Sequence, residues 1–149
     1  MSPSPTPSSD ASADDRILET VSAWPGVAVG PHRLGTNEFT LDGREIGHTH
    51  GDRVVDVNFP KRVADRLVAT GETNRHRFAG GGWTSFTIDS SDDVDRAIRL
   101  LRLSYLHTAL TLRRKPAGRA VLADLDLEAE LEALDVDDEI ESIIVRMRS

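Results

Sequence analysis

The dipeptide Asp42-Gly43 stands between two short segments of alternating polarity, and it restricts the chain more than any other local feature. Asp and Gly both tolerate a positive φ, so the pair predicts a two-residue turn joining strands Glu38–Leu41 and Arg44–His50 in an antiparallel hairpin. Gly51-Asp52 marks a second turn into Arg53–Phe59, where Val55, Val57 and Phe59 alternate with Val54, Asp56 and Asn58. That period of two assigns one set to a core and the other to the opposite sheet face. Val27–Pro31 precedes them as a first strand.

Helical spacing and breakers divide the rest. A helix is predicted over Ala11–Trp24, apolar at Ile17, Leu18 and Val21 and stopped by Pro25-Gly26. Pro60 suits the first turn of a second helix, Lys61–Ala69, with Val63 and Leu67 inward and Gly71 as its cap. A fifth strand around Asn74–Ala79 leads through Gly80-Gly81-Gly82 to a sixth, Trp83–Asp89, with Phe86 and Ile88 inward. Ser90-Ser91-Asp92-Asp93 starts the longest helix, Asp92–Arg114, apolar at Val94, Ile98, Leu101, Tyr105 and Leu112, and Pro116-Ala117-Gly118 breaks it. Beyond Arg119 the chain turns acidic. Leu127, Leu131 and Leu134, then Ile140, Ile143, Ile144 and Met147, still predict two short amphipathic helices. The expected fold is α+β: an antiparallel sheet of about five to six strands with helices on one face, plus a C-terminal helical tail. Residues 1–10 are expected to be a disordered tail, 11–116 the domain and 117–149 an acidic helical extension.

Composition excludes several functions. The chain of 149 residues has no cysteine, so thiolate catalysis, disulfides and cysteine-bound metal are absent. A formal charge of −7 disfavours nucleic-acid backbones as partners. No apolar run approaches the roughly 20 residues a bilayer requires, and the Ser/Pro/Asp-rich start lacks the pattern of a signal peptide. A cytoplasmic protein without membrane or nucleic-acid partners is the expectation, with a small-molecule ligand and self-association through the tail as the interactions left open. The triple glycine is not followed by a helix N-terminus, so it does not form a phosphate loop.

Site-type residues concentrate in Arg44-Glu45-Ile46-Gly47-His48-Thr49-His50. Along a strand, His48 and His50 share a face, on simple alternation with Ile46, whereas Glu45 points to the opposite face unless a bulge intervenes. Neutral imidazole is a base near pH 7 and a common metal ligand. His32 and His107 have no companions in sequence and are expected on the surface or a helix face. Trp83 either walls a pocket or packs in the core, and Tyr105 is expected in the core with its hydroxyl bonded.

The run Arg44 to His50, then Asn74-Arg75-His76 and the glycine-rich turn, then Trp83-Thr84-Ser85-Phe86 and the long helix with Ser104-Tyr105, resembles the luciferase-like domain of the fungal type across residues 15–112. The resemblance implies an oxygenase that adds O2 to a hydroxylated ring compound with neither metal nor flavin. It carries catalytic interest to His48, His50 and His76, and substrate-binding interest to Glu45 and Trp83. Asp56, on the neighbouring strand, joins the substrate-binding candidates.

Three readings of these residues follow. In a cofactor-free oxygenase or related proton-abstracting enzyme acting on a small enolic or aromatic compound, His48 or His50 is the base and His76 a donor to the oxyanion. In a metal site, His48, His50 and His76, with Asp56, are ligands. In a non-enzymatic binding or interaction module, the histidines only hydrogen-bond across a sheet face. An enzyme requires His48, His50 and His76 to converge on a concave, partly apolar pocket; diverging side chains, or an open sheet face with no cavity, favour the binding module.

Overall fold

The computed structural model describes residues 11–32 and 35–148; the expected disorder of residues 1–10 lies outside them. Helix α1 (Ala13–Ser22) begins at Ser12, whose hydroxyl accepts from the Asp15 amide. Strands β1 (Val27–Pro31), β2 (Asn37–Leu41), β3 (Arg44–His50) and β4 (Val54–Asn58) follow. Asp42 and Gly43 take φ values of 50° and 80°, the positive angles that the hairpin turn requires. Helix α2 (Lys61–Ala69), short strand β5 (Asn74–Arg75), strand β6 (Trp83–Thr87) and helix α3 (Ser91–Thr111) complete the core unit. The six strands form one antiparallel sheet in the order β1-β2-β3-β4-β6-β5. The fold is therefore α+β, as the alternation and breakers require.

Helix α3 crosses β2, β3 and β4. Phe39, Leu41, Ile46, Val55, Val57 and Phe86 from the sheet join Leu101, Tyr105, Leu106 and Ala109 of this helix in one buried cluster. Ser104 ties the two layers together, its hydroxyl within reach of the Ile46 carbonyl at 3.2 Å and the Asn58 carbonyl at 2.5 Å. Tyr105 is core, as its spacing indicates, and its hydroxyl donates to the Pro25 carbonyl at 2.6 Å.

Several element ends fall one to three residues from expectation, as at Ser22, Thr87 and Thr111, and two larger differences have a visible cause. The fifth strand stops at Arg75 rather than Ala79, because the backbone N–H groups of Phe78 and Ala79 donate to His76 Nδ1 and turn the chain off the ladder. Pro116 opens a further helix, α4 (Pro116–Ala123), where a break alone was expected. Proline at a first turn lacks only an N–H that has no intrahelical partner. Gly118 lets this helix press onto the end of α3, since a Cβ there would lie 2.1 Å from the Leu112 carbonyl oxygen. The two predicted tail helices are α5 (Leu127–Ala133) and α6 (Asp138–Arg146). Their Leu127, Leu131, Ile140 and Ile144 are buried in the same cluster as the sheet.

Candidate functional site

The face of the sheet turned away from α3 carries a row of directly paired residues: Glu38 opposite His48, His48 opposite Asp56, and Asp56 opposite Ser85. Opposed residues on neighbouring strands share a face, so the antiparallel register alone lines up these polar side chains. Asp56 is 2% exposed and lies at the centre.

Strict alternation fails within β3. Phe39 pairs with Gly47 while its neighbour Thr40 pairs with Glu45, so Ile46 is an extra residue and the strand bulges. Ile46 consequently enters the core and does not share a face with His48 and His50, which corrects the simple alternation. Glu45 comes round to the histidine face, and its Oε2 lies 2.6 Å from His48 Nδ1. The cross-face placement expected of Glu45 is overturned by that bulge. Gly47 faces α3 at close quarters: a Cβ would stand 2.5 Å from the Asp56 carbonyl oxygen and 2.8 Å from Leu101 Cδ2.

Three imidazoles converge on one carboxylate oxygen. Asp56 Oδ2 lies 3.1 Å from His48 Nε2, 2.8 Å from His50 Nε2 and 3.0 Å from His76 Nε2. His48 Nε2 and His50 Nε2 are 3.1 Å apart. The second carboxylate oxygen, Oδ1, accepts from the Ser85 hydroxyl at 2.6 Å. His76 reaches in from the loop after β5, and its tautomer is set by the backbone. Its Nδ1 accepts from two amides, so its Nε2 carries the hydrogen and donates to Asp56.

Electrostatics follow from these contacts. Burial alone would lower the His48 pKa, but hydrogen bonds to Asp56 and Glu45, with their charges, raise it to about 9. Burial likewise works to raise that of Asp56, yet hydrogen bonds from His48, Ser85 and His50 hold the carboxyl well below its ordinary range. Asp56 is thus a fixed anion. The ring of His50 is a third exposed and, among the described residues, its Nδ1 has no hydrogen-bond partner.

Residues that were not site candidates in the sequence complete the cluster. His32, expected to lack companions, stacks on His48 with ring centroids 3.7 Å apart and an interplanar angle of 12°. Its Nε2 lies 3.8 Å from Glu38 and 3.9 Å from Glu45. Nothing local in the sequence signals that stacking. Gly35 lies against the same rings, since a Cβ there would meet His48 Cδ2 at 3.3 Å and His50 Nδ1 at 3.4 Å. Ser85 could have been found from its alternation in β6, had the β4–β6 register been known. Trp83 borders the cluster, its ring 5.5 Å from that of His48. His107 sits on α3, bonded to Thr111, far in role from this group. A cavity of about 300 Å³ opens elsewhere, lined by Leu67, Phe86, Leu100 and Ile140 with Arg96 and Arg99.

Among the described residues no helix is long and apolar enough to cross a membrane. No curated protein and no solved structure matches the chain. A family model does match, over the stretch that supplies Glu45, His48, His50, Asp56, His76, Trp83 and Ser85. Residues 43–104, which build all of the site except the loop and strand carrying His32, Gly35 and Glu38, match the family described as Luciferase domain.

Proposed function

We propose that this domain is a small-molecule enzyme that removes a proton from an enolic or aromatic hydroxyl compound and passes the resulting anion to O2. The observation that carries this reading is the convergence of three imidazoles on the buried Asp56 carboxylate, with His50 left open at the sheet face. Such a cluster holds a fixed anion, hydrogen-bonded cationic or neutral rings and an accessible proton acceptor within one network. That combination serves acid–base chemistry better than it serves fold stability, since buried charge is costly to assemble.

The substrate hydroxyl approaches from the open face, between Trp83 and the histidines. Its proton leaves toward the His50–Asp56 pair, and the N–H groups of the cluster hold the oxyanion. The anion's electron-rich carbon forms a bond to O2, and the peroxide anion recovers the proton, so that R–H and O2 become R–O–O–H. Match of residues 43–104 to the luciferase domain supports O2 as the second reactant.

The test is an O2-electrode screen of enolic and phenolic compounds, paired with solvent deuterium exchange at their acidic C–H positions. Uptake or exchange by the unmodified protein, reduced about 100-fold or more in His50→Ala and Asp56→Asn, is expected. Neither uptake nor exchange across the panel would overturn the enzyme reading.

A further inference from the structure

Hydrogen placement around Asp56 leads to a conflict that protons alone do not resolve. His48 Nε2, His50 Nε2 and Asp56 Oδ2 form a triangle with edges of 3.1, 2.8 and 3.1 Å. A proton on His48 Nε2 alone sets the His50 lone pair against the carboxylate oxygen. A proton on His50 Nε2 alone does the same to His48. With both protonated, two N–H groups crowd side by side on an oxygen that already accepts from His76. Every assignment leaves one edge with like groups facing.

A cation seated over that triangle, above its plane, removes the conflict, because all three atoms then direct lone pairs at the ion. We infer that His48 Nε2, His50 Nε2 and Asp56 Oδ2 are the three protein donors to one divalent transition-metal ion. The edges fit: bonds of about 2.05 Å give cis donors about 2.9 Å apart around an octahedral ion and about 3.3 Å apart around a tetrahedral one. The outer contacts fit as well. Glu45 at His48 Nδ1 fixes the hydrogen on that nitrogen and frees Nε2 to bind metal, the carboxylate–histidine support common around such ions. Ser85 holds the other oxygen of Asp56 and so aims Oδ2 at the ion.

His76 is excluded from the donor set, which revises the three-histidine grouping expected from sequence. Its Nδ1 accepts from two backbone amides, its Nε2 therefore carries a hydrogen, and a protonated nitrogen does not bind metal. It is a positioning residue that braces Asp56. Two imidazoles and one carboxylate on a single face leave the remaining positions toward the open side of the sheet, a pattern suited to ferrous iron.

This inference rests on the reading of the Asp56 cluster as the working centre, where a bound ion would replace the cluster's N–H groups in holding the substrate anion and, by acidifying the bound hydroxyl, replace the His50–Asp56 pair as the means of removing its proton. Its binding test needs no substrate. The full chain is stripped with chelator, and Co(II) and anaerobic Fe(II) are titrated separately, with binding followed by calorimetry and the Co(II) visible spectrum. One ion per chain at micromolar affinity or better is expected. His50→Ala and Asp56→Asn should lose that binding, whereas Glu45→Gln and His76→Ala should keep one ion with affinity weakened about 10- to 100-fold. His50→Ala, at the more exposed ring, and the isosteric Asp56→Asn are both checked for native circular dichroism.

Millimolar or no binding by the unmodified chain would overturn the metal site, and so would one-to-one binding that survives in folded His50→Ala. Loss in His76→Ala as complete as in His50→Ala would overturn the donor assignment. O2 uptake by stripped protein that binds no ion would sink the metal and leave the enzyme reading standing. Tight binding without turnover would do the reverse.

Discussion

Glu45 Oε2 lies 2.6 Å from His48 Nδ1, although three residues along a regular strand separate them onto opposite faces. The bulge at Ile46 reconciles the two, carrying Glu45 to the histidine side while Ile46 fills the core. One inserted residue thereby gives a buried histidine a carboxylate at each ring nitrogen, Glu45 at Nδ1 and Asp56 at Nε2.

Glu45→Gln tests that support. The amide keeps the size of the side chain but replaces a charge-assisted hydrogen bond with a neutral one at a nearly buried ring. A loss of about 1–2 kcal/mol of stability is expected in urea denaturation. An unchanged midpoint would mean that the contact contributes nothing to the fold.

Gly47→Ala tests the close approach of β3 to β4 and α3. The added methyl would stand 2.5 Å from a backbone oxygen of Asp56 itself, so the strand and not merely a side-chain tip must move. A cost of about 1–3 kcal/mol is expected, together with a weakened site, because Asp56 shifts with its backbone. Wild-type stability with intact Co(II) binding would show that the sheet accommodates the methyl.

His107 supplies a pH dependence remote from the cluster. Burial, reinforced by the charge of Arg44, lowers its pKa to about 4, and its Nδ1 is buried without a partner. Between about pH 6.5 and pH 4 the unfolded chain takes up a proton that the folded chain refuses. Its contribution is therefore fully present above pH 6.5 and declines as pH falls toward 4. Urea midpoints at pH 7.5 and pH 5 should show wild type losing stability, by on the order of 2 kcal/mol at most. His107→Leu should lose measurably less over the same interval, and equal losses would remove His107 as the cause.

Leu131→Ala tests whether the acidic tail and the sheet share one core. Leu131 is 1% exposed within the cluster that includes Phe39 and Leu101. A loss of about 2–4 kcal/mol in a single unfolding transition is expected. Asp137 links the same region to α2: it accepts from Arg66 at 2.9 and 3.0 Å and caps α6 through the amides of Glu139 and Ile140. Asp137→Ala should lower the urea midpoint, chiefly through the lost cap, and Arg66→Ala should lower it less, because its ion pair is partly in solvent. Two separate transitions in Leu131→Ala would instead show the extension to be an independent unit.

Much of the architecture was legible because it depends on near neighbours. The Asp42-Gly43 turn, the period of two in β4, the spacing of α3 and the apolar stripes of α5 and α6 each follow from local sterics and local burial. The places where that reading failed involve partners distant in sequence. His76 ended β5 early because its ring nitrogen competes for amides that a ladder would otherwise use. Pro116 was readable as a stop, but the helix it opens is held by Gly118 against the end of α3.

For the candidate site, the sequence by itself offered His48, His50, His76, Asp56, Glu45 and Trp83, some by residue type and some through the resemblance to the luciferase-like domain. Tertiary structure alone decided their arrangement. It placed Asp56 at the centre, drew in His32 and Ser85, turned Glu45 inward and set the Nδ1 of His76 against the backbone amides of Phe78 and Ala79. The physical reason is that side-chain direction in a sheet reverses with a one-residue slip, and that slip is decided by cross-strand pairing and packing against α3, not by the residues beside it.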